Sequence, residues 1–259
     1  MKCKNCDDNL RTDYLYCPNC GGKVIRNRIT IKNLWVDIMD RYFNLDNTFL
    51  KTFVHLFTKP ESVIEGYIQG QRRKYLNPIS YLGIAITLSG FIVFLMTKSV
   101  AEMDFDFLNT GATSSSQQKI MNFTLDYQAL IFILYIPMMS VASWLCFEQK
   151  KYNFSERTII FLYTLAHFSL FTFVPSLIVL LFAPSNYPGL SFLGILSMFV
   201  YSGYVIKRIS LEKGIALAAR LFLFFVILLV LYMAFFTIIP LIMFATGYID
   251  IEDFRQIPS

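Results

Sequence analysis

Residues 79–97, ISYLGIAITLSGFIVFLMT, contain no charged side chain. At about 1.5 Å per residue, a helix of that length crosses the hydrocarbon core of a bilayer. A chain in lipid has few other options, because its backbone polar groups find no water there. Comparable runs follow at 128–147, 158–183, 190–206 and 215–248, the last holding one charge, Arg220, near its start. Composition agrees: 55% of residues are hydrophobic and only 16% charged, against about a quarter charged in soluble domains. A disordered chain, a disulfide-stapled secreted domain and an ordinary one-core soluble domain are thereby excluded.

The last run, 34 residues long, is one long helix or two short spans. Two spans need a reverse turn, and no turn-former lies between Gly214 and Pro240. One helix, kinked at Pro240, is therefore expected, giving five spans with four or six as alternatives.

Lys and Arg set the orientation. Residues 1–77 carry 13 of the 23 Lys and Arg, and two further cationic loops precede spans three and five. Counted by side, 19 Lys and Arg fall on the N-terminal side and three on the other. This bias predicts a cytosolic N-terminus and, with five spans, a C-terminus on the periplasmic or external face.

Four of the five cysteines form two pairs, Cys3/Cys6 and Cys17/Cys20, and no apolar leader precedes them. In a reducing compartment such thiolates bind metal rather than pair as disulfides. Each CxxC turns two sulfurs toward one point, so two of them offer a tetrahedral S4 site suited to a structural Zn2+. Iron in the same ligand set and a redox dithiol are the alternatives. A segment of about twenty residues cannot build a core, so metal would supply its folding energy. Lys2, Lys4, Arg11 and Lys23 share this surface with Asp7, Asp8 and Asp13. That mixture argues for protein contact or self-packing and against nucleic acid.

Residues 24–77 alternate apolar and charged positions. The runs 31–43, 47–60 and 61–76 read as amphipathic helices, either lying in the membrane interface or folded on themselves. The ribbon at Cys3 to Gly21, the joint at Arg26 to Arg28 and the segment Asn47 to Leu82 together resemble the bacterial family DUF3667. The distinctive cluster is Pro60, Gly66, Tyr67, Gly70, Arg72, Arg73, Tyr75, Asn77, Pro78 and Tyr81. The resemblance implies a membrane protein with an N-terminal zinc ribbon and supplies no activity. More loosely, five spans after a cytosolic front end resemble Yip1-like membrane proteins.

The expected fold is an all-α polytopic membrane protein of about five transmembrane helices, preceded by a small zinc ribbon and amphipathic helices. Its parts are 1–23, the four-Cys ribbon; 24–77, cytosolic or interfacial helices; 78–248, the bundle; and 249–259, a short polar tail.

Few residues are candidates for chemistry. Arg72, Arg73, Lys74 and Tyr75 precede span one and suit an anionic headgroup or phosphate; equally, they are its positive flank with Tyr75 in the aromatic belt. His167 falls in the middle of the third run. It would serve a polar pathway, or sit as a neutral imidazole bonded to a neighbouring helix, with Thr164, Ser169 and Thr172 close in sequence. Arg220 would snorkel to headgroups. Asp126 would cap span two, and Cys146 would pack as an apolar residue. The stretch from Lys98 to Asp126 would be a polar loop, flexible around Thr113 to Gln118. No sequence motif for a hydrolase, metalloprotease, P-loop or dinucleotide site is present.

The expected function is therefore a non-enzymatic inner-membrane scaffold or adaptor whose ribbon contacts a protein partner or assembles a homo-oligomer beside anionic lipid. A channel or transporter with a pathway near His167 is the alternative. A lipid-modifying enzyme using Arg72, Arg73 and His167 is the weaker one.

Overall fold

The computed structural model describes residues 2–3, 5–22, 24, 45–99, 115–147 and 151–248. The expected helix at 31–43, the joint at 26–28 and the tail from 249 lie outside them. The chain divides into two compact units, Met1–Asp46 and Asn47–Ser259.

The described part of the first unit is two turns closed by short backbone hydrogen bonds, with a bridge between Lys2 and Asn9. The second is all helical among its described residues: α1 Leu45–Thr58, α2 Pro60–Ile68, α3 Pro78–Ser99, α4 Ser115–Asp126, α5 Gln128–Cys146, α6 Phe154–Phe182, α7 Tyr187–Ile209 and α8 Gly214–Ala245. A 3-10 turn, Pro184–Asn186, leads into α7. Five of these helices, α3 and α5 to α8, are long and apolar enough to cross a membrane. The 215–248 run is one helix through Pro240.

Helix boundaries follow local chemistry. Asn77 Oδ1 accepts from Ser80 N at 2.8 Å and Pro78 opens α3, where its missing N–H is harmless. α6 starts four residues ahead of its apolar run because Asn153 and Glu156 form a capping box with both bonds at 2.8 Å. α2 stops at Ile68, well short of the expected 76. Gly70 takes φ +96, and Gln71 N donates back to the Gly66 carbonyl at 2.8 Å, closing the helix end. Two further expectations are corrected. The polar stretch before span two contains a helix, α4. Asp126 ends that helix, and Tyr127 stands at the start of α5 with no side-chain cap.

α6 is the central element. With α2, α3 and α7 it builds one apolar cluster around Val63, Tyr81, Tyr163, Leu170 and Val205. With α5 and α8 it builds another, where the Phe161 and Phe224 rings stack at 5.8 Å. Cys146 is buried in this second cluster, as a packing residue should be. α5 is the most enclosed span and α8 the least, so α8 leaves most of its apolar surface outward for lipid.

α3 and α6 run parallel in nearly one register: Tyr81 meets His167, and Ile92 packs beside Leu180. From that register, α6 projects about 15 Å beyond the start of α3. The projecting part gives α1 and α2 a surface to pack on. These two amphipathic helices therefore neither lie free in an interface nor form a separate core. They cap one end of the bundle, with Leu56, Val63 and Ile64 fully buried.

Candidate metal centre and the capped end of the bundle

The two cysteine knuckles are near copies, CKNCDD and CPNCGG, fourteen residues apart. In each, the first cysteine's N–H donates to the carbonyl five residues on: Cys3 to Asp8 and Cys17 to Gly22, both 2.8 Å. In each, its carbonyl accepts from the residue four on, Asp7 at 2.9 Å and Gly21 at 2.8 Å. That fourth residue must turn left-handed, and it does so in both copies, at φ 58 for Asp7 and φ 69 for Gly21. Glycine adopts this region freely, whereas aspartate does so at some cost.

All four sulfurs lie within 4.8 Å of one another. Cys3 Sγ is 3.7 Å from Cys20 Sγ, and Cys6 Sγ is 3.6 Å from Cys17 Sγ. A tetrahedron with metal–sulfur arms of about 2.3 Å has edges of about 3.8 Å. The residues therefore fit a metal ion. Asn5 N donates to Cys3 Sγ at 3.5 Å, the kind of contact that steadies a thiolate. Crowding splits the acidities of the thiols. The Asn5 side chain and the Gly22 backbone hold Cys20 down at about 6. At Cys6 the backbone at Asp8 pulls down, but hydrogen bonding to Cys20, burial and the other thiols push it up to about 12. The Cys20 thiolate forms easily and Cys6 resists, until a cation neutralises the charge.

At the capped end of the bundle, His167 is fully buried. Its Nδ1 lies 2.8 Å from the Tyr81 hydroxyl. Phe57, Phe53 and Tyr201 surround the imidazole at ring-centroid distances of 4.3, 4.8 and 5.2 Å. The hydroxyls that sequence proximity suggested do not reach it. Thr164 and Thr172 instead bond back to carbonyls within α6, at Ile160 and Phe168. His167 is the fourteenth of the 29 residues of α6, midway along the third span as the sequence implies, and it is level with the first turn of the shorter α3.

Arg72, Arg73 and Lys74 are exposed in the turn after α2. Tyr75 is not in an interfacial belt. It is 3% exposed, and its hydroxyl meets His55 Nδ1 at 2.8 Å, giving that histidine a partner too. Arg220 does more than snorkel. Its Nε pairs with Glu212 at 2.9 Å, and it donates to the Cys146 carbonyl at 3.2 Å. Arg157 reaches the same helix end, donating to Ser143 O at 3.0 Å and to Ser143 Oγ at 2.8 Å. Two cations thus satisfy the final carbonyls of α5.

Two acidic side chains that sequence reasoning passed over, Glu61 and Glu65, clamp the cap. Glu65 of α2 accepts from Lys151 Nζ at 2.9 Å and from Tyr152 Oη at 2.5 Å. Lys151 also donates to the Ile209 carbonyl. Burial, together with the Glu65 contact, holds the Tyr152 phenol well above its usual acidity range. Glu61 pairs with Arg208 through contacts of 2.7 and 3.0 Å. No sequence spacing links residues 61 and 65 with 208 and 151; only charge complementarity between distant segments could have suggested them.

A cavity of about 380 Å³ lies between the helices on another face of α6, lined by Leu165, Ser169 and Thr172 among others. At about 100° per residue, Ser169, Thr172 and Ser176 point roughly opposite to His167, which is not in its lining.

Residues 46–90 match the family DUF3667, described as a protein of unknown function. The match spans α1, α2, the exposed turn and the first half of α3, so it covers the cap and the Tyr81 side of the His167 contact. No curated protein and no solved structure matches the chain.

Proposed function

We propose that the protein is a non-enzymatic scaffold or adaptor of a bacterial cytoplasmic membrane, whose zinc-closed ribbon contacts a protein partner or assembles a homo-oligomer. The carrying observation is the sulfur geometry. Four thiols occupy every corner of one tetrahedron, leaving no position for a substrate or an activated water. Zinc suits this site because it tolerates the geometry the knuckles impose and has no redox chemistry. Its role there is to fold the ribbon.

The Lys and Arg bias supports a cytosolic ribbon, and five spans put the C-terminus on the opposite face. Arg72, Arg73 and Lys74, exposed ahead of Pro78, then stand where anionic headgroups concentrate. The likeness in layout to Yip1-like proteins rests on the span number and the polar front end alone. Close aromatic packing around His167 argues against a pathway through it, and proton or ion flux in liposomes should be the same for wild type and His167→Ala.

The test is cross-linking in native membranes. Wild type should give defined higher-mass complexes, and Cys17→Ser should lose them while the bundle keeps its melting temperature. Identical complexes from both proteins would remove the adaptor reading.

A further inference from the structure

The cavity between α3, α5, α6, α7 and α8 is a binding site, and we propose that it takes an uncharged amphiphile with a flat, ring-bearing head. Its volume, about 380 Å³, falls in the range of small-molecule sites. Along α6 the lining runs from Leu165 to Ser176, a length of about 16 Å.

Charge decides the class of ligand. Among the described residues, none that lines the cavity is Asp, Glu, Lys, Arg or His. A charged ligand would lose its hydration inside a bundle of apolar spans and gain no counterion there. A purely hydrocarbon occupant fits no better: the Tyr135 and Tyr232 hydroxyls bond each other, which still leaves one of their two O–H donors, with Gln128 and Ser169, facing an occupant that offers no acceptor.

The walls decide the shape. Seven of the nineteen lining residues are aromatic, against 17% in the whole chain. The Tyr135 and Tyr232 rings stand nearly parallel, 21° apart, with centroids at 6.0 Å. Phe132, Phe168 and Phe199 add further ring surface. Such walls favour a planar group that stacks or meets edges. Met139 and Met198 supply adaptable surface around it.

Polarity sets the orientation. Gln128 and Tyr187 lie at the starts of α5 and α7, which open at the same end of the bundle. Met139, Leu165 and Leu228 form the far end. The oxygen-bearing head is held between Gln128 and the paired tyrosines, and the tail points toward Met139.

The experiment uses the full chain in nanodiscs and a radiolabelled benzoquinone carrying a decyl tail. Wild type should retain about one probe per chain beyond empty nanodiscs. Ser169→Trp, which fills the cavity, should retain a tenth or less, whereas Leu193→Trp on the outward face of α7 should match wild type. A decyl-tailed triphenylphosphonium, ring-bearing but cationic, should not compete. Retention by wild type no greater than by empty nanodiscs, equal retention by Ser169→Trp, or full competition by the cation would each overturn the proposal. If Ser169→Trp fails to fold, Tyr135→Phe/Tyr232→Phe keeps both rings and removes only the hydroxyls. It should weaken retention about tenfold, and unchanged retention would overturn the hydrogen-bonded head.

Discussion

The Tyr81 hydroxyl stands 2.8 Å from His167 Nδ1, joining the first turn of α3 to the fourteenth residue of α6 inside a ring of aromatic side chains. Both residues are fully buried. The bond therefore fixes the register of the two helices and gives one imidazole nitrogen its partner, while Nε2 has none among the described residues.

Tyr81→Phe should destabilise the bundle by about 1–3 kcal/mol, because it leaves a buried nitrogen without its partner while keeping the ring. Thermal denaturation in detergent measures this. Combining Tyr81→Phe with His167→Phe should cost less than the sum of the single changes. Strict additivity would mean the contact carries no coupling.

The clamps on the cap should differ in strength. Glu65 joins two donors at a partly buried site, whereas Glu61 pairs with a more exposed Arg208. Glu65→Ala should cost about 1–3 kcal/mol, and Glu61→Ala less than about 1 kcal/mol. Protease cleavage between α2 and α3 should rise more for Glu65→Ala than for Glu61→Ala. Equal susceptibility of the two variants would contradict the ranking.

Cys17→Ser should abolish stoichiometric metal in the purified protein, since one missing thiolate opens the tetrahedron. In wild type, acidification should release the metal, because protons compete for the thiolates that bind it. Metal analysis after dialysis across a pH series reads both effects. A variant that keeps one metal per chain would refute the assignment of Cys17 as a ligand.

The repeated knuckle offers a matched pair of changes at its left-handed position. Gly21→Ala should weaken metal retention against a chelator, at a cost of about 1 kcal/mol, and Asp7→Gly should leave it unchanged or strengthen it. Opposite signs at equivalent positions are the expected result. Weakening by both would mean that Asp7 contributes something other than its backbone conformation.

Five spans, their order and a four-thiol cluster were legible in the sequence, and each for a local reason. A charge-free run of membrane length needs no tertiary information, because lipid rejects charge at every point along it. Two CxxC turns carry their geometry within a few residues. The capping box at Asn153 and the repeat that places Asp7 opposite Gly21 were equally local, and would have refined both readings.

Tertiary structure decided everything that depends on register between helices. The sequence placed His167 by its distance from the ends of an apolar run. That placing holds along α6, but its partner lies 86 residues away and meets it only because α6 projects beyond α3. Tyr75 looked like an interfacial aromatic and is buried against His55, because α1 folds back over it. The cap held by Glu61 and Glu65, and the uncharged cavity behind Ser169, arise where distant segments meet. Apolar periodicity tells a helix which faces can be buried. Only the packed bundle determines which neighbour covers each face, and where the helices leave room.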